Sequence, residues 1–357
     1  MLSFLAMVLS PLALATFLGA TIAPQPGQPI SDALAHLRPG DTLQLPAGTF
    51  HAALGRLTGV NIRGAGAGLT EVIAPEGADG ALVVGNAEVS GLTLRAGAAH
   101  CALKVIGGGH ARLRDLALSG EACALFVDGG AVEAEQLDLR SAMYGLLQHD
   151  GEVAISGSTI QGDIAGVGLL RGSLTLSRAA VVGPSRDAAI SVSAGEVSLD
   201  AVVISHPGPS GIAIGAKGRV VGRSVSIAGA TEQEGGLGDC VQSLGGDVHL
   251  AWSELSRCGG AALELSRGRA TLDGVDLQGG GAGCLALVDG ARADLQGNLC
   301  TGRGPGLVLA SGSKAQLRMN RWKVDPVLWV ECATGARAEI LYGEHERAPC
   351  QAAPKRE

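Results

Sequence analysis

Val197-Ser198-Leu199, Val202-Val203-Ile204 and Ile212-Ala213-Ile214 are three short apolar segments packed into one stretch of chain. The set returns at once as Val220-Val221, Val225-Ser226-Ile227 and Val241-Gln242-Ser243. In most of these segments apolar residues alternate with an outward one, the period-two signature of a strand with one face buried. Gly, Ser, Asp and Pro lie between them as turn residues, and no interval has room for a helix. Working outward, the first apolar position of an L-x-V strand recurs at Leu82, Leu103, Leu125, Leu146, Val167, Ile190, Ile212, Val241, Leu263, Leu285, Leu307 and Leu328. The intervals run from 21 to 23 residues, with one of 29. Three strands per ~22 residues fit one turn of a coiled parallel sheet whose turns stack ~4.8 Å apart. A leucine-rich repeat shares the period but needs an Asn after its leucines. Here Gly120-Glu121-Ala122 follows Leu113, Leu116 and Leu118. The reading is an all-β parallel β-helix of about 12 coils, three short strands each, with ladders of Leu, Val, Ile and Ala inside.

The ends of such a coil are open sheet edges and need covers. Ser31–Leu37 (SDALAHL) reads as a short N-terminal capping helix, with Ser31 as its cap and Asp32 in its first turn. Ala33, Leu34 and Leu37 face the first coil, and Pro39-Gly40 ends the helix. Trp322, Trp329 and the Cys332–Cys350 segment are closing material for the other end. Cys101 and Cys123 each stand two residues before the L-x-V strand of adjacent coils, so the ~4.8 Å stacking brings them within disulfide reach. Cys240 and Cys284 share a column two coils apart, so they are expected to bond to Cys258 and Cys300, with Cys332 to Cys350 last.

Composition excludes several classes. Glycine fills 56 of 357 positions without a three-residue period, which excludes collagen. A hydrophobic fraction of 46% excludes a charge-solvated disordered chain. A net charge of −7 gives no basic nucleic-acid surface. Gly107-Gly108-Gly109 lacks the strand–helix setting of a phosphate loop, so no nucleotide is implied. Residues 1–23 are uncharged and mostly apolar and read as an export signal, with cleavage at Ala15, Ala20 or Ala23. An uncleaved membrane anchor is the competing reading, and only then is a membrane a partner. The division that follows is a linker over 24–30, the β-helix over 31–345 including its cap, and a tail over 346–357. Eight cysteines without a C-x-x-C pair favour disulfides over metal, and with the leader imply a secreted, periplasmic or surface location.

Leu37-Arg38-Pro39-Gly40-Asp41-Thr42-Leu43-Gln44-Leu45-Pro46-Ala47-Gly48-Thr49-Phe50 resembles the entry segment of right-handed parallel β-helix proteins of the pectate-lyase-like superfamily. Val60-Asn61-Ile62-Arg63-Gly64-Ala65-Gly66 and Thr70-Glu71-Val72-Ile73 resemble its next turn, and the coils from Leu82 to about Ala338 continue the likeness. The resemblance implies the right-handed rod. It implies no single activity, because this architecture hosts lyases, hydrolases, esterases, epimerases and adhesins. The N-T-D, G-H-G and R-x-K segments of polygalacturonase-like enzymes, the Q-D-T and D-F-I-F-G of pectin-methylesterase-like ones, and the W-I-D-H of pectate-lyase-like ones are absent. No catalytic residue carries over.

The resemblance also implies substrates held across the middle of the rod beside long turn insertions. One such turn stands out: Ala228–Asp239 (AGATEQEGGLGD), which brings the binding candidates Glu232, Glu234 and Asp239. The equivalent turns of the three preceding coils carry the catalytic candidates Asp163, Arg186 with Asp187, and His206. Clustered carboxylates can hold Ca²⁺ or work as an acid/base set with His206; otherwise no cofactor is implied. Arg186 can neutralise a uronate carboxylate. The plain alternative is that turns are polar because they face water, and His206-Pro207-Gly208-Pro209 is then a rigid corner. The other histidines are scattered. Trp252 and Trp329 are candidate sugar-stacking platforms, and Phe126, Leu147, Val308 and Trp329 form an outward apolar set broken by Ser191, Gln242 and Glu264. The expectation is an exported, monomeric rod with a non-catalytic role at the cell envelope, binding polysaccharide or another envelope component or serving as a structural scaffold. A polysaccharide lyase or glycoside hydrolase with a mid-rod site is the alternative.

Overall fold

A computed structural model describes residues 19–25, 28–97, 100–183, 185–232, 238–324 and 330–342. The chain coils into a parallel β-helix of about 14 turns, more than the L-x-V count because that pattern starts late. The rungs Thr21–Ile22, Thr42–Gln44 and Asn61–Arg63 all precede Leu82 and pair in parallel register. The expected leader and linker boundaries therefore adjoin a strand, Thr21–Ile22, that is docked on the first coil.

Three sheets run the length of the rod. Sheet A is the L-x-V ladder: Leu82, Leu103, Leu125, Leu146, Val167 and Ile190 stack in register, and so do Ile212, Val241, Leu263, Leu285 and Leu307. The next partner of Leu307 is Val330 rather than the expected Leu328, which lies outside the described residues. Sheet B stacks Leu176, Leu199, Gly222, Leu250, Leu272, Leu295 and Leu317. Sheet C stacks Ile160, Val181, Ile204, Ile227, Leu255 and Leu277. These side chains are almost fully excluded from water, each covered by the rungs above and below. At ~25 cal/mol per Å² of apolar area, that repeated burial is what offsets the ordering of a glycine-rich chain.

The corner between sheets B and C is a single residue in the left-handed region. Asp115, Gln136, Arg178, Ala201, Ser224, Trp252 and Met319 occupy it, and Gly91, Gly157, Gly274 and Gly297 take it at other rungs. Just past it an inward polar residue closes the backbone bonding that the corner interrupts. Ser158 accepts from Leu137 N and donates to Ser156 O. Asn298 accepts from Val275 N and donates to Leu272 O, and Asn320 repeats the pattern one coil on, accepting from Asn298 N. Being satisfied, these polar groups sit in the core at no desolvation penalty.

The N-terminal cover is shorter than expected. Only Ile30–Leu34 is helical, Pro29 is its N-terminal cap residue, and no side chain caps that end. Ser31 lies inside the turn and donates to Asp32 instead, so the expected capping role fails. Five residues are one turn and cannot sustain a helix alone; packing holds it. Ile30 and Ala33 are buried, with Leu34 and Leu37 half-buried against the core. At the other end Trp322 packs on the core, while Trp329 and Cys350 lie outside the described residues.

Three disulfides form as the columns require. Cys101–Cys123 joins adjacent coils with Cα atoms 4.4 Å apart. Cys240–Cys258 and Cys284–Cys300 join sheet A to sheet C within single coils, at 5.4 and 6.0 Å. The fourth expected pairing involves Cys350 and is not described. No described helix is long and apolar enough to cross a membrane. The disulfides fit an extracellular setting, where such bonds persist.

Candidate functional site

The corner between sheets C and A carries the sequence candidates. The repeat places Asp163 and Arg186 in one column, four residues before Val167 and Ile190, and the backbone agrees. Arg186 N donates to Asp163 O at 2.7 Å, and Asp187 N donates to Ile164 O at 3.1 Å. All three side chains are exposed, and no ion pair joins them among the described residues. His206 is not in their column. It belongs to the end of the strand Val203–Gly208, one coil on, exposed and in the left-handed region. Its carbonyl oxygen presses on Gly183, where a Cβ would fall 1.7 Å away, so Gly183 is required there. The four residues are therefore a surface strip, not an assembled acid/base set.

The long turn divides its residues. Glu232 is exposed and Glu234 lies outside the described residues. Asp239 differs from both: it opens the strand Asp239–Leu244, stacks on Ser210, and is 2% exposed. Ala261 N donates to its Oδ1 at 2.6 Å. Its Oδ2 has no hydrogen-bond partner among the described groups. Burial pushes the Asp239 carboxyl up to about 6, opposed by the Ala261 bond and reinforced by the neighbouring carboxylate of Glu264. Glu264 is the half-buried outward residue of the next rung, paired with Gln242. Two carboxyl groups, one held protonated into mildly acidic pH, are the ingredients of acid/base chemistry. Among the described residues no group of three or more His, Cys, Asp or Glu is arranged to hold a metal ion.

The outer face of sheet B holds a feature the sequence reading missed. Two concavities of about 440 and 250 Å³ follow one another along the rod and share Thr175. Small residues make the floor at the middle: Ala154, Ser156, Thr175 and Ser177. The first concavity starts among paired charges, with Arg112–Glu133 at 3.3 Å and Arg114–Glu135 at 2.9 Å. The second ends among Asp200, Arg223 and His249. The signal was present in the outward positions, where charged residues on two successive rungs give way to Ser and Thr. What could not be read was that this face is concave.

The outward apolar set on sheet A is partly real. Phe126 and Leu147 are half-buried neighbours, and Tyr144 and Leu147 lie over Gly168, where a Cβ would stand 3.2 Å from both. Val308 stands apart, seven rungs beyond Leu147. Trp252 is 64% exposed at a corner, with its ring over Gly274.

No protein-family model matches the chain, and no curated protein matches it either. Solved structures do. The catalytic unit of a thermostable GH87 alpha-1,3-glucanase from Streptomyces thermodiastaticus strain HF3-3 is 12% identical, with a TM-score of 0.55 over 90% of this chain and 68% of that one. The Agl-KA catalytic domain is 15% identical, with a TM-score of 0.53 over 95% of this chain and 70% of that one. These likenesses are likenesses of fold, the right-handed parallel β-helix.

Proposed function

We propose that this protein is an exported rod that binds a linear polysaccharide along the outer face of sheet B. The carrying observation is the pair of end-to-end concavities sharing Thr175. Their combined length follows the rod axis, their floor is small and hydroxyl-rich, and charged side chains stand at both ends. An extended sugar chain needs a long shallow trough with hydrogen-bonding groups, rather than a deep pocket. The likeness to carbohydrate-active structures supports the same partner class. Gel retardation by a panel of neutral and acidic polysaccharides tests the reading. Wild-type protein is expected to be slowed by at least one polymer, and Thr175→Trp, which fills the shared point of the trough, to lose that retardation while keeping its melting temperature. Equal retardation of both proteins would remove the trough from the account.

A second reading, glycoside hydrolysis, is favoured by Asp239 and Glu264. In it Asp239 is the general acid and Glu264 its carboxylate partner, on sheet A rather than sheet B. New reducing ends from a retained polymer, lost in Asp239→Asn, would establish it.

Export places its own demand on the leader. Ala20 N donates to the buried Asp41 Oδ1 at 2.7 Å, and Thr21–Ile22 pairs with Thr42–Leu43. Cleavage after Ala23 would strip both interactions, whereas cleavage at Ala15 leaves them. N-terminal sequencing of the exported protein is expected to begin before Ala20; a start at Pro24 would refute this order of events.

A further inference from the structure

On the N-terminal edge of sheet B, one outward position per coil changes its charge pattern partway along the rod. Glu196, Arg219, Asp247 and Arg269 stack in sequence with alternating sign. The Arg219–Glu196 pair closes at 3.2 Å. Beyond Arg269 the alternation stops. Arg269 stacks on Arg292, Arg292 on Lys314, and Lys314 on Arg337, four cations in direct register. All four are exposed. None makes an ion pair among the described residues, although cations of the earlier rungs do.

Stacked rungs are ~4.8 Å apart, and like charges directly opposite one another in a sheet destabilise it. The acids nearby do not cancel the stack. Asp273, Asp294 and Glu339 are outward residues of the same strands; Glu339 is engaged by Gln316 Nε2 at 3.3 Å. Arg318 is a further cation at the far end of the Lys314 strand, four residues from the ladder. The ladder begins on the rung after His249 and Ala251, where the trough of sheet B ends, but one outward column to the side: Arg269 stacks on Asp247, while Thr271 and Asp273 stack on His249 and Ala251.

We propose that Arg269, Arg292, Lys314 and Arg337 bind an acidic polysaccharide, one carboxylate per sugar, on the column of sheet B beside the line of the trough and just beyond its end. This rests on the reading of the rod as a polysaccharide binder and names the class of polymer. A straight file of cations, one per rung, matches an extended uronan with its single charge per ring. A nucleic acid fits worse: duplex strands carry a phosphate every ~3.4 Å and wind away from a straight line. The chain's net charge of −7 also opposes polyanions everywhere except at such a local stripe.

The test compares wild type, Arg292→Gln/Lys314→Gln and Thr175→Trp for binding to polygalacturonate, dextran and single-stranded poly(dT) over a salt series. The expected result is selective binding of polygalacturonate with affinity falling steeply as salt rises. The double variant should bind about tenfold more weakly or worse, with a shallower salt slope, because released counterions scale with the charges engaged. Its melting temperature should hold or rise, since a repulsion is removed. Polygalacturonate binding unchanged in the double variant would overturn the ladder and leave the trough standing. Binding of dextran as tight as polygalacturonate would overturn the acidic class alone. Equal, ladder-dependent binding of poly(dT) would make the stripe a general polyanion site and overturn selectivity. No binding to any polysaccharide would overturn both this inference and the reading it rests on.

Discussion

Leu125→Ala is expected to cost about 2–5 kcal/mol, the range for truncating a fully buried leucine where the surroundings cannot collapse. Leu125 is shut off from water between Leu103 and Leu146 in the middle of sheet A. Neither neighbour can move into the void without leaving its own rung, because each backbone is hydrogen-bonded on both sides. Leu244 supplies the control. It is also a sheet A leucine, but 54% exposed, and Leu244→Ala should stay within about 0.5 kcal/mol of wild type. Urea unfolding of the two variants reads the difference as a shift in midpoint. A similar small shift for both would mean that the ladder of leucines is not the core.

Asp239→Asn is expected to stabilise the protein at neutral pH. The carboxyl titrates near 6 in the folded chain and near ~3.9 unfolded, a difference worth about 3 kcal/mol. The sign follows from proton counts. Between those two values the folded state holds more protons than the unfolded state, so stability falls as pH rises from about 4 to about 6 and stays lowered above. Asn cannot ionise, keeps an acceptor for Ala261 N–H, and can donate to Glu264. The variant should therefore gain about 2–3 kcal/mol at pH 7 and little at pH 3.5, read by thermal melts across pH. Loss of stability at pH 7 would show that the ionised carboxylate is held by a favourable partner. A carboxyl kept at such a cost in the wild type fits a group retained for binding or chemistry, as strained functional groups are.

Much of the fold was legible because every coil repeats one instruction. A strand position that recurs near every 22 residues fixes the register, and register fixes which cysteines meet; Cys101–Cys123 followed from stacking alone. The failures came where the repeat breaks or where shape matters. Leu328 gave way to Val330 at the last rung, where the spacing slips by two residues. Ser31 looked like a helix cap because its residue type suits one, yet the helix starts a residue earlier under Pro29. Nothing in the sequence marks Asn298 and Asn320 as inward, yet they point into the core and complete the corner's hydrogen bonds.

The site was harder to read for the same reason. Asp163, Arg186 and Asp187 do stack, because column position is a matter of counting. Whether a turn residue faces water or is buried is not. Asp239 looked like one more acid in a polar loop, and its burial beside Glu264 depends on the coil above. The trough of sheet B was hidden differently: Ser156, Thr175 and Ser177 carry no chemical signature, and their meaning comes from the concave surface they share.

The most direct measurement is a crystal structure of the protein with an oligosaccharide cut from whichever polymer retards it. The account predicts sugar density along the outer face of sheet B, over Ser156, Thr175 and Ser177 and running toward His249. Sugar bound instead on sheet A over Asp239 and Glu264, with the trough empty in the same crystal, would contradict it.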